Sequence, residues 1–314
     1  MTEDAGGGRV DSGTAPVDGG GTDGGSDPSD GGALDAFVPP SDGGTTACGD
    51  ARPAVAGIRG TEGLIIARDG TIYYSQNGGV GRLPVGGAAE DRWVRIPGTG
   101  TIWGLALDAA NENLYVGSPE DGTVYVIDTT AASPAATAFV TGAGAPNGLT
   151  VGPDDALYFS DFGAGRVNRV ALGGSTGTAT PVTTTPVPNA NGVAFLPDGT
   201  LLVASYSSAT VFRLTLTAGV ETGRATFATG VGSPDGIAVD AEGRVYVTDN
   251  AAGRLIRLEA DGASPMTLLM GVGAAASLDF GAGALDCEDI YVASSGAMRR
   301  YEDGTTPGAP VIWH

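Results

Sequence analysis

Three stretches of the chain read NGLTVGPDDALYFSD (147–161), NGVAFLPDGTLLVAS (191–205) and DGIAVDAEGRVYVTD (235–249). In each, a polar residue and a glycine precede a short apolar run, a DD, DG or EG turn follows, and a second apolar run ends close to a small residue. Two apolar runs joined by such a turn are typical of a β-hairpin. The pattern therefore predicts one hairpin-containing unit that recurs along the chain.

Further copies are EGLIIARDGTIYYS (62–75), WGLALDAANENLYVGS (103–118) and ASLDFGAGALDCEDIYVAS (276–294). The six copies begin at residues 62, 103, 147, 191, 235 and 276, so the step is 41 to 44 residues. This period corresponds to one four-stranded propeller blade. We predict an all-β protein, a six-bladed β-propeller over residues 48–314. A two-sheet sandwich is the alternative, and the near-constant step argues against it.

Residues 1–47 are rich in Gly, Asp, Ser and Thr and offer almost nothing to bury. Such a segment cannot offset its ordering entropy, so we predict a disordered, acidic tether. A tether of this kind is typical of a processed secreted protein or lipoprotein. We therefore expect a secreted, periplasmic or cell-surface location, with the leader absent from this sequence.

The chain of 314 residues carries 36 acidic and 16 basic side chains, for a formal charge of −20. This excess of acid argues against nucleic acid and anionic lipid surfaces as partners. All basic residues are Arg, and the only His is His314, which disfavours lysine Schiff bases, Ser-His-Asp triads and His-rich metal sites. No run approaches the roughly 18 apolar residues of a membrane span. We expect a monomer acting on a small molecule.

The two cysteines, Cys48 and Cys287, are too far apart for a CxxC motif. We expect them to form a disulfide, with two buried thiols as the alternative. Closure of the ring requires the two ends of the chain to meet, and residues 54–58 are predicted to complete the last blade as an edge strand. A disulfide at that junction would contribute roughly 4 to 5 kcal/mol on the chain-entropy model.

The first strand of each propeller blade lines the central channel, so the first residues of the six copies are expected to form a ring. These heading residues are Glu62, Trp103, Asn147, Asn191, Asp235 and Ala276. Two carboxylates and two amides in one narrow channel predict a cation between them. Oxygen-only donors favour Ca²⁺, with Mg²⁺, Mn²⁺ or Zn²⁺ as alternatives. The other interpretation is that Asn-Gly and Asp-Gly only form turns, which does not account for Glu62.

The EG, NG, NG and PDG motifs at blade spacing, with a last blade of the form S-L-D-F-G…D-I-Y-V-A-S, resemble the senescence-marker-protein/gluconolactonase/luciferin-regenerating-enzyme family of six-bladed propellers. The resemblance covers residues 58 to about 301 and extends more distantly to the paraoxonases. It implies a divalent metal at the top of the channel, with Glu62, Asn191 and Asp235 as ligands. Asn147 would be a fourth ligand or a contact to substrate and water. The family hydrolyses lactones and, in some members, aryl or phosphoryl esters.

One position departs from the sugar-lactone members of that family. They carry an Arg two residues before the Asn of the third blade, where this chain has Ala145. Trp103, Phe162 and Tyr206 are predicted to form an apolar pocket mouth, although Trp103 alternatively packs in the core.

We predict a metal-dependent lactonase or esterase in which Asp235 is the general base, assisted by Asn147. The alternative is a non-catalytic propeller with a structural Ca²⁺ that binds a peptide or glycan.

Overall fold

Six antiparallel sheets make up the structure, a computed structural model that describes residues 48–60, 62–294 and 297–302. In these ranges five sheets have four strands and the last has three, and neighbouring strands follow one another in chain order. This architecture confirms the predicted all-β, six-bladed propeller. The predicted tether, residues 1–47, lies outside the described residues.

The chain enters every blade at its inner strand and leaves it at its outer strand. Blades 1 and 2 consist of β1 (Leu64–Ile66), β2 (Ile72–Gln76), β3 (Gly79–Leu83), β4 (Glu90–Arg95), and β5 (Leu105–Leu107), β6 (Asn113–Ser118), β7 (Thr123–Asp128), β8 (Ala136–Thr141). Blades 3 and 4 consist of β9 (Pro146–Val151), β10 (Ala156–Asp161), β11 (Arg166–Ala171), β12 (Thr180–Pro181), and β13 (Ala190–Phe195), β14 (Leu201–Ser205), β15 (Thr210–Thr217), β16 (Val220–Thr229). Blades 5 and 6 consist of β17 (Pro234–Val239), β18 (Val245–Asp249), β19 (Arg254–Leu258), β20 (Met266–Met270), and β21 (Ala275–Phe280), β22 (Asp289–Ser294), β23 (Ala297–Glu302).

Helical structure in the described ranges is confined to one 3₁₀ turn, Tyr206–Ser208. Accordingly, none of the described residues forms a helix long and apolar enough to cross a membrane.

The inner strands form a closed ring. Each contacts the inner strand of the next blade, and β21 of the last blade contacts β1 of the first. At this junction Ser277 N–H donates to the Glu62 carbonyl at 3.1 Å, and Ser277 Oγ donates to the Leu64 carbonyl at 3.2 Å. Ile66 N–H donates to Asp279 Oδ2 at 2.8 Å. These bonds satisfy the channel-side edge of β1, which no further strand covers.

The hydrophobic core consists of six clusters in the described part of the chain, one between each pair of neighbouring blades. A strand therefore buries both of its faces. In β5, Leu105 and Leu107 pack toward blade 1, whereas Ala106 packs toward blade 3. This explains why the inner strands read as continuous apolar runs and not as alternating patterns.

The glycines after the heading residues are required by close packing around the axis. A Cβ on Gly104 or Gly192 would lie within 2.5 Å of the carbonyl oxygen of the next heading residue, and Gly63, Gly148 and Gly236 are placed in the same way. None of the five has a positive φ. The Asn-Gly and Asp-Gly pairs that begin at Asn147, Asn191 and Asp235 lie inside strands β9, β13 and β17. The interpretation of these pairs as turn formers is therefore wrong.

The first described residues, from Cys48 onward, contact blade 6, but differently from the prediction. The Cys48–Cys287 disulfide is present, and Gly49 N–H donates to the Gly283 carbonyl at 2.7 Å. Residues 54–58 do not form the predicted edge strand, because the chain turns at Gly57 (φ +99°). Val55 and Ile58 instead pack into the cluster between blades 6 and 1. The junction is held by the disulfide, by apolar packing, by backbone hydrogen bonds that include an isolated parallel bridge between Ala51 and Leu285, and by ion pairs of Arg52.

Candidate active site in the central channel

A cavity of about 150 Å³ opens in the centre of the ring and is lined by the inner strands of all six blades. Its lining includes the four predicted oxygen donors, Glu62, Asn147, Asn191 and Asp235. Asn147, Asn191 and Asp235 are buried, and Glu62 is half-buried. The structure therefore brings together residues that lie more than 170 positions apart in the chain. The volume is below the ~300 Å³ of pockets for drug-sized ligands, so it suits a small molecule or part of one.

The pairing between the first and second strands is irregular next to these donors, and the irregularity recurs from blade to blade. The pairing register shifts between Ala190 and Val193 and between Pro234 and Ile237, which takes the Asn-Gly and Asp-Gly pairs out of the regular ladder. Blade 3 has a similar irregularity, and in blades 3 and 5 a hydroxyl on the second strand accepts from the N–H of the glycine. Ser160 Oγ accepts from Gly148 N–H at 2.9 Å, and Thr248 Oγ1 accepts from Gly236 N–H at 2.8 Å. Such bulges redirect side chains, in this case toward the channel axis.

The two acids of the ring destabilise each other's charge. Burial raises the pKa of Glu62 to about 7. Burial also raises the pKa of Asp235 well above its ordinary value, and the charge of Glu62 raises it further. Hydrogen bonds from the amides of Asn191 and Asn250 act in the opposite direction on the pKa of Asp235. No Arg lies among the residues lining the cavity, so no protein cation offsets the pair.

This donor set fits a hard divalent cation. Two carboxylates and two amides supply only oxygen to a ligand, which is the preference of Ca²⁺ and Mg²⁺. Within the described ranges no three His, Cys, Asp or Glu residues cluster as a metal-binding group. The site is thus a mixed carboxylate and amide set, and it lacks the nitrogen and sulfur ligands that are typical of Zn²⁺.

Asn250 is a residue whose influence on the site sequence reasoning missed, since its side chain lowers the pKa of Asp235. It lies fifteen residues after Asp235, the offset that also separates Phe162 from Asn147 and Tyr206 from Asn191. In each case the backbone N–H bonds to the carbonyl two residues before the heading residue, at 3.0, 3.2 and 3.0 Å for Phe162, Tyr206 and Asn250. The three side chains therefore occupy equivalent places in blades 3, 4 and 5. The constant offset was the signal that could have revealed Asn250.

Of the three aromatic residues predicted at the pocket mouth, Trp103 lines the cavity and the other two lie next to it. Trp103 is half-buried, lines the cavity and belongs to none of the hydrophobic clusters, so its interpretation as a core residue is not supported. Phe162 and Tyr206 are not among the residues that line the cavity. Each directly follows the second strand of its blade, whereas the cavity is lined by the inner, first strands. They extend outward from Trp103 through edge-to-face contacts, with ring centroids 5.9 Å apart for Trp103–Phe162 and 6.0 Å for Phe162–Tyr206.

A further acid, Asp279, also lines the cavity. Burial raises its pKa to about 7. Both of its oxygens accept backbone N–H groups, Oδ2 from Ile66 at 2.8 Å and Oδ1 from Phe280 at 2.9 Å. Asp279 therefore joins blade 6 to blade 1.

The fold and the channel define a six-bladed propeller with a carboxylate and amide site on its axis. Residues 176–296, from the end of blade 3 through blade 6, match the family model described as the SMP-30/Gluconolactonase/LRE-like region. The family resemblance seen in the sequence is confirmed over that part of the chain. No curated protein sequence matches the chain.

Several solved structures share the fold at low sequence identity. A structure provisionally assigned as a gluconolactonase is 21% identical, with a TM-score of 0.65, covering 82% of this chain and 96% of its own. The calcium-binding protein regucalcin from Agrobacterium tumefaciens is 18% identical, with a TM-score of 0.63 and coverage of 80% and 92%. A gluconolactonase from Xanthomonas campestris is 18% identical, with a TM-score of 0.62 and coverage of 80% and 87%. At these identities the likeness establishes the fold alone.

Proposed function

We propose that the protein is a metal-dependent hydrolase of lactones or related carboxylic esters. The observation that carries this proposal is the carboxylate pair of Glu62 and Asp235, which lines a cavity with two amides and, among the described residues, no basic side chain. The SMP-30/Gluconolactonase/LRE-like region over residues 176–296 supports it. Two of the propellers with the same fold are described as gluconolactonases, one of them provisionally, and another as a calcium-binding protein.

Glu62, Asn191 and Asp235 would hold the metal, with Asn147 as a fourth ligand or as a contact to substrate and water. Ca²⁺ is the first choice, since every donor is a neutral or anionic oxygen. When bound, such an ion supplies Lewis-acid polarisation of a carbonyl oxygen and a lowered pKa for water. Glu62 would also balance its charge.

Asp235 is the proposed general base. Its carboxylate takes a proton from water as the water oxygen attacks the ester carbonyl carbon, and it returns that proton to the alcohol oxygen when the ring bond breaks. The side-chain amides of Asn191 and Asn250 lower the pKa of Asp235 and so favour its ionised form. The amide of Asn147, which is buried in β9, would orient the substrate carbonyl or the water.

The proposed substrate is a compact lactone or ester with an apolar group. Ala145 replaces an arginine that would recognise a polyhydroxylated acid, and Trp103 presents an aromatic face at the cavity. The pocket proposed from the sequence therefore reduces to Trp103, with Phe162 and Tyr206 as an outer extension.

The disulfide supports an oxidising compartment, such as the periplasm or the cell exterior. A secreted or cell-surface location is therefore part of the proposal, and so is a monomeric state.

The test is a panel of γ-lactones, δ-lactones and phenyl acetate, assayed with and without EDTA. We expect hydrolysis that chelation abolishes and Ca²⁺ restores, while circular dichroism shows an unchanged fold. Absence of hydrolysis on every ester, with Ca²⁺ binding retained, would overturn the enzyme proposal in favour of a propeller that binds a peptide or glycan.

A further inference from the structure

We propose that Ser75 is the positioning residue of Glu62, the acid that blade 1 contributes to the candidate metal site. The inference rests on the function proposed above, because it takes Glu62 as a ligand of the cation. Ser75 lies in β2, is fully buried, and is not among the residues that line the cavity. Its role is inferred from the hydrogen bonds around the Glu62 backbone and from a difference between blade 1 and blades 3 to 5.

Strand pairing holds the site residues of blades 3, 4 and 5 on both sides. In each of these blades one pair of the ladder lies directly before the site residue, and pairing resumes two residues after it. The pairs that precede Asn147, Asn191 and Asp235 are Pro146 with Asp161, Ala190 with Ser205, and Pro234 with Asp249. The backbone of each site residue is therefore a short irregular stretch between two fixed points.

Glu62 has this support on one side only. The first strand of its blade, β1, begins at Leu64, and the first pair of the ladder, Leu64 with Tyr74, lies two residues after Glu62. Among the described residues of blade 1, no pair between β1 and β2 precedes Glu62. Of the four oxygen donors, Glu62 is thus the one that lies outside a strand and needs another anchor.

Ser75 supplies this anchor. Its hydroxyl oxygen accepts from Glu62 N–H at 3.0 Å and from Gly63 N–H at 2.7 Å. These two bonds use both lone pairs of the oxygen. The backbone N–H of Ser75 donates to the Gly63 carbonyl at 2.9 Å, and Ser277 N–H donates to the Glu62 carbonyl at 3.1 Å. Both polar groups of the Glu62 backbone are therefore engaged, one by its own blade and one by blade 6.

Blades 3 and 5 also carry a hydroxyl at the position of Ser75, but its role there is narrower. Ser160 Oγ accepts from Gly148 N–H at 2.9 Å, and Thr248 Oγ1 accepts from Gly236 N–H at 2.8 Å. In the described part of these blades, neither hydroxyl accepts from the N–H of the site residue that precedes the glycine. Only in blade 1 does the hydroxyl hold the site residue itself.

Loss of the Ser75 hydroxyl would remove the acceptor that the Glu62 and Gly63 N–H groups share. The bend that carries the Glu62 carboxylate would then be free to move, because no pair of the ladder fixes it from the other side. A metal ligand binds well only when supporting hydrogen bonds hold it close to the required geometry. Loss of such support typically weakens metal binding by about 10-fold to 100-fold.

The experiment uses the full chain freed of metal and titrates it calorimetrically with Ca²⁺ alone. The variants are Ser75→Ala, Ser75→Thr and Ser75→Val. Thr and Val have nearly the same shape, so a difference between them reports the hydroxyl, and Thr248 shows that blade 5 accommodates a threonine at this position. Ser160→Ala is the matched control, because it removes the equivalent hydroxyl where strand pairing holds Asn147 on both sides.

We expect Ser75→Ala and Ser75→Val to bind Ca²⁺ at least about 10-fold more weakly than the unmodified chain, and Ser75→Thr and Ser160→Ala to remain within about 3-fold of it. Urea unfolding of the metal-free proteins should show a lowered midpoint for both alanine variants, so a general loss of stability would not explain different affinities. With phenyl acetate, Ser75→Ala should need at least about 10-fold more Ca²⁺ for half-maximal rate and reach a kcat within about 3-fold at saturating Ca²⁺.

Two results would overturn the inference: equal Ca²⁺ affinity of Ser75→Thr and Ser75→Val, or an equal loss of affinity in Ser75→Ala and Ser160→Ala. If Ser75→Ala does not fold, the comparison of Thr with Val decides. A chain that binds Ca²⁺ but cleaves no ester would overturn the proposed function alone, since the Ca²⁺ affinities of the variants would still decide the role of Ser75. Absence of Ca²⁺ binding by the unmodified chain would overturn both.

Discussion

Asp235 and Asp279 are two buried acids on neighbouring inner strands of one channel, and their partners differ completely. Both line the cavity, and burial raises the pKa of each. Asp279 accepts two backbone N–H groups, from Ile66 and Phe280. The charge of Glu62 raises the pKa of Asp235, and the side-chain amides of Asn191 and Asn250 lower it.

This difference distinguishes an acid that joins two blades from the acid proposed to act in the site. The acceptor capacity of Asp279 is used to close the ring between blades 6 and 1, where it satisfies Ile66 N–H beside the two bonds that Ser277 makes to the same edge. Among the described residues the Asp235 side chain makes no such closing contact, and its neighbours in the cavity are the groups proposed to hold a cation. Burial and a raised pKa are common to both, so neither property alone identifies the site; the identity of the partners does.

The largest expected effect comes from replacing Asp235 and Asp279 in turn by asparagine, which tests whether the two acids have different roles. Asp235→Asn should lower kcat for a lactone or phenyl acetate by about 10³-fold, because the general base is lost. Asp279→Asn should keep kcat within a few-fold of the unmodified chain. Steady-state kinetics at saturating Ca²⁺ would measure both. Equal loss in the two variants would mean that the distinction between them is wrong.

The second prediction concerns the pH dependence of stability in the metal-free protein. The pKa of Asp279 rises from 3.8 to about 7 on folding, so the folded state holds its proton more tightly. Between these values the folded form binds one proton more than the unfolded form, and stability falls by about 1.4 kcal/mol per pH unit as pH rises. The contribution is fully present below pH 3.8 and lost by about pH 7.

Urea unfolding at several pH values, compared between the unmodified chain and Asp279→Asn, would measure this slope. The amide can accept only one of the two N–H groups, which costs about 1 to 3 kcal/mol at every pH, so the informative quantity is the change in the difference with pH. A difference independent of pH from 4 to 7 would show that Asp279 does not titrate as proposed.

The third prediction compares the close contacts at the backbone carbonyls of Asp235 and Glu62. Gly192 packs against the carbonyl of Asp235, whereas the position facing the Glu62 carbonyl is occupied by Ser277. Gly192→Ala should destabilise the fold by about 1 to 3 kcal/mol through overpacking. Ser277→Ala should cost about 0.5 to 1.5 kcal/mol, the value of its side-chain hydrogen bond. Chemical denaturation measures both, and a Gly192→Ala variant as stable as the unmodified chain would contradict the close-packing explanation.

The smallest expected effect is that of replacing Trp103, the aromatic residue that lines the cavity. Trp103→Leu should raise KM for phenyl acetate about 5-fold, equivalent to about 1 kcal/mol of lost contact, and leave kcat within about 3-fold. Trp93→Leu is the matched control, since Trp93 packs on Tyr73 from the outer strand β4. A similar change in KM for both variants would argue against substrate contact at Trp103.

Periodicity alone was enough to predict the propeller and the four oxygen donors. Once six copies share one step, equivalent positions such as Glu62 and Asp235 must lie on one ring, and their chemistry can be read directly from the sequence. The same reasoning extended to offset fifteen would have included Asn250. It could not show that Phe162 and Tyr206 lie beyond the cavity, because their distance from the axis depends on how the blade ends are packed.

By itself, the sequence determined the number of blades, the inner strands and the residues that face the axis, because each follows from a local pattern repeated at a constant spacing. The tertiary structure decided the rest. Contacts between blades decide which groups surround a buried acid and why glycine follows each heading residue of blades 1 to 5. They also decide how blade 6 joins blade 1 without the predicted edge strand. Those contacts join residues up to 239 positions apart, and a local pattern carries no information about them.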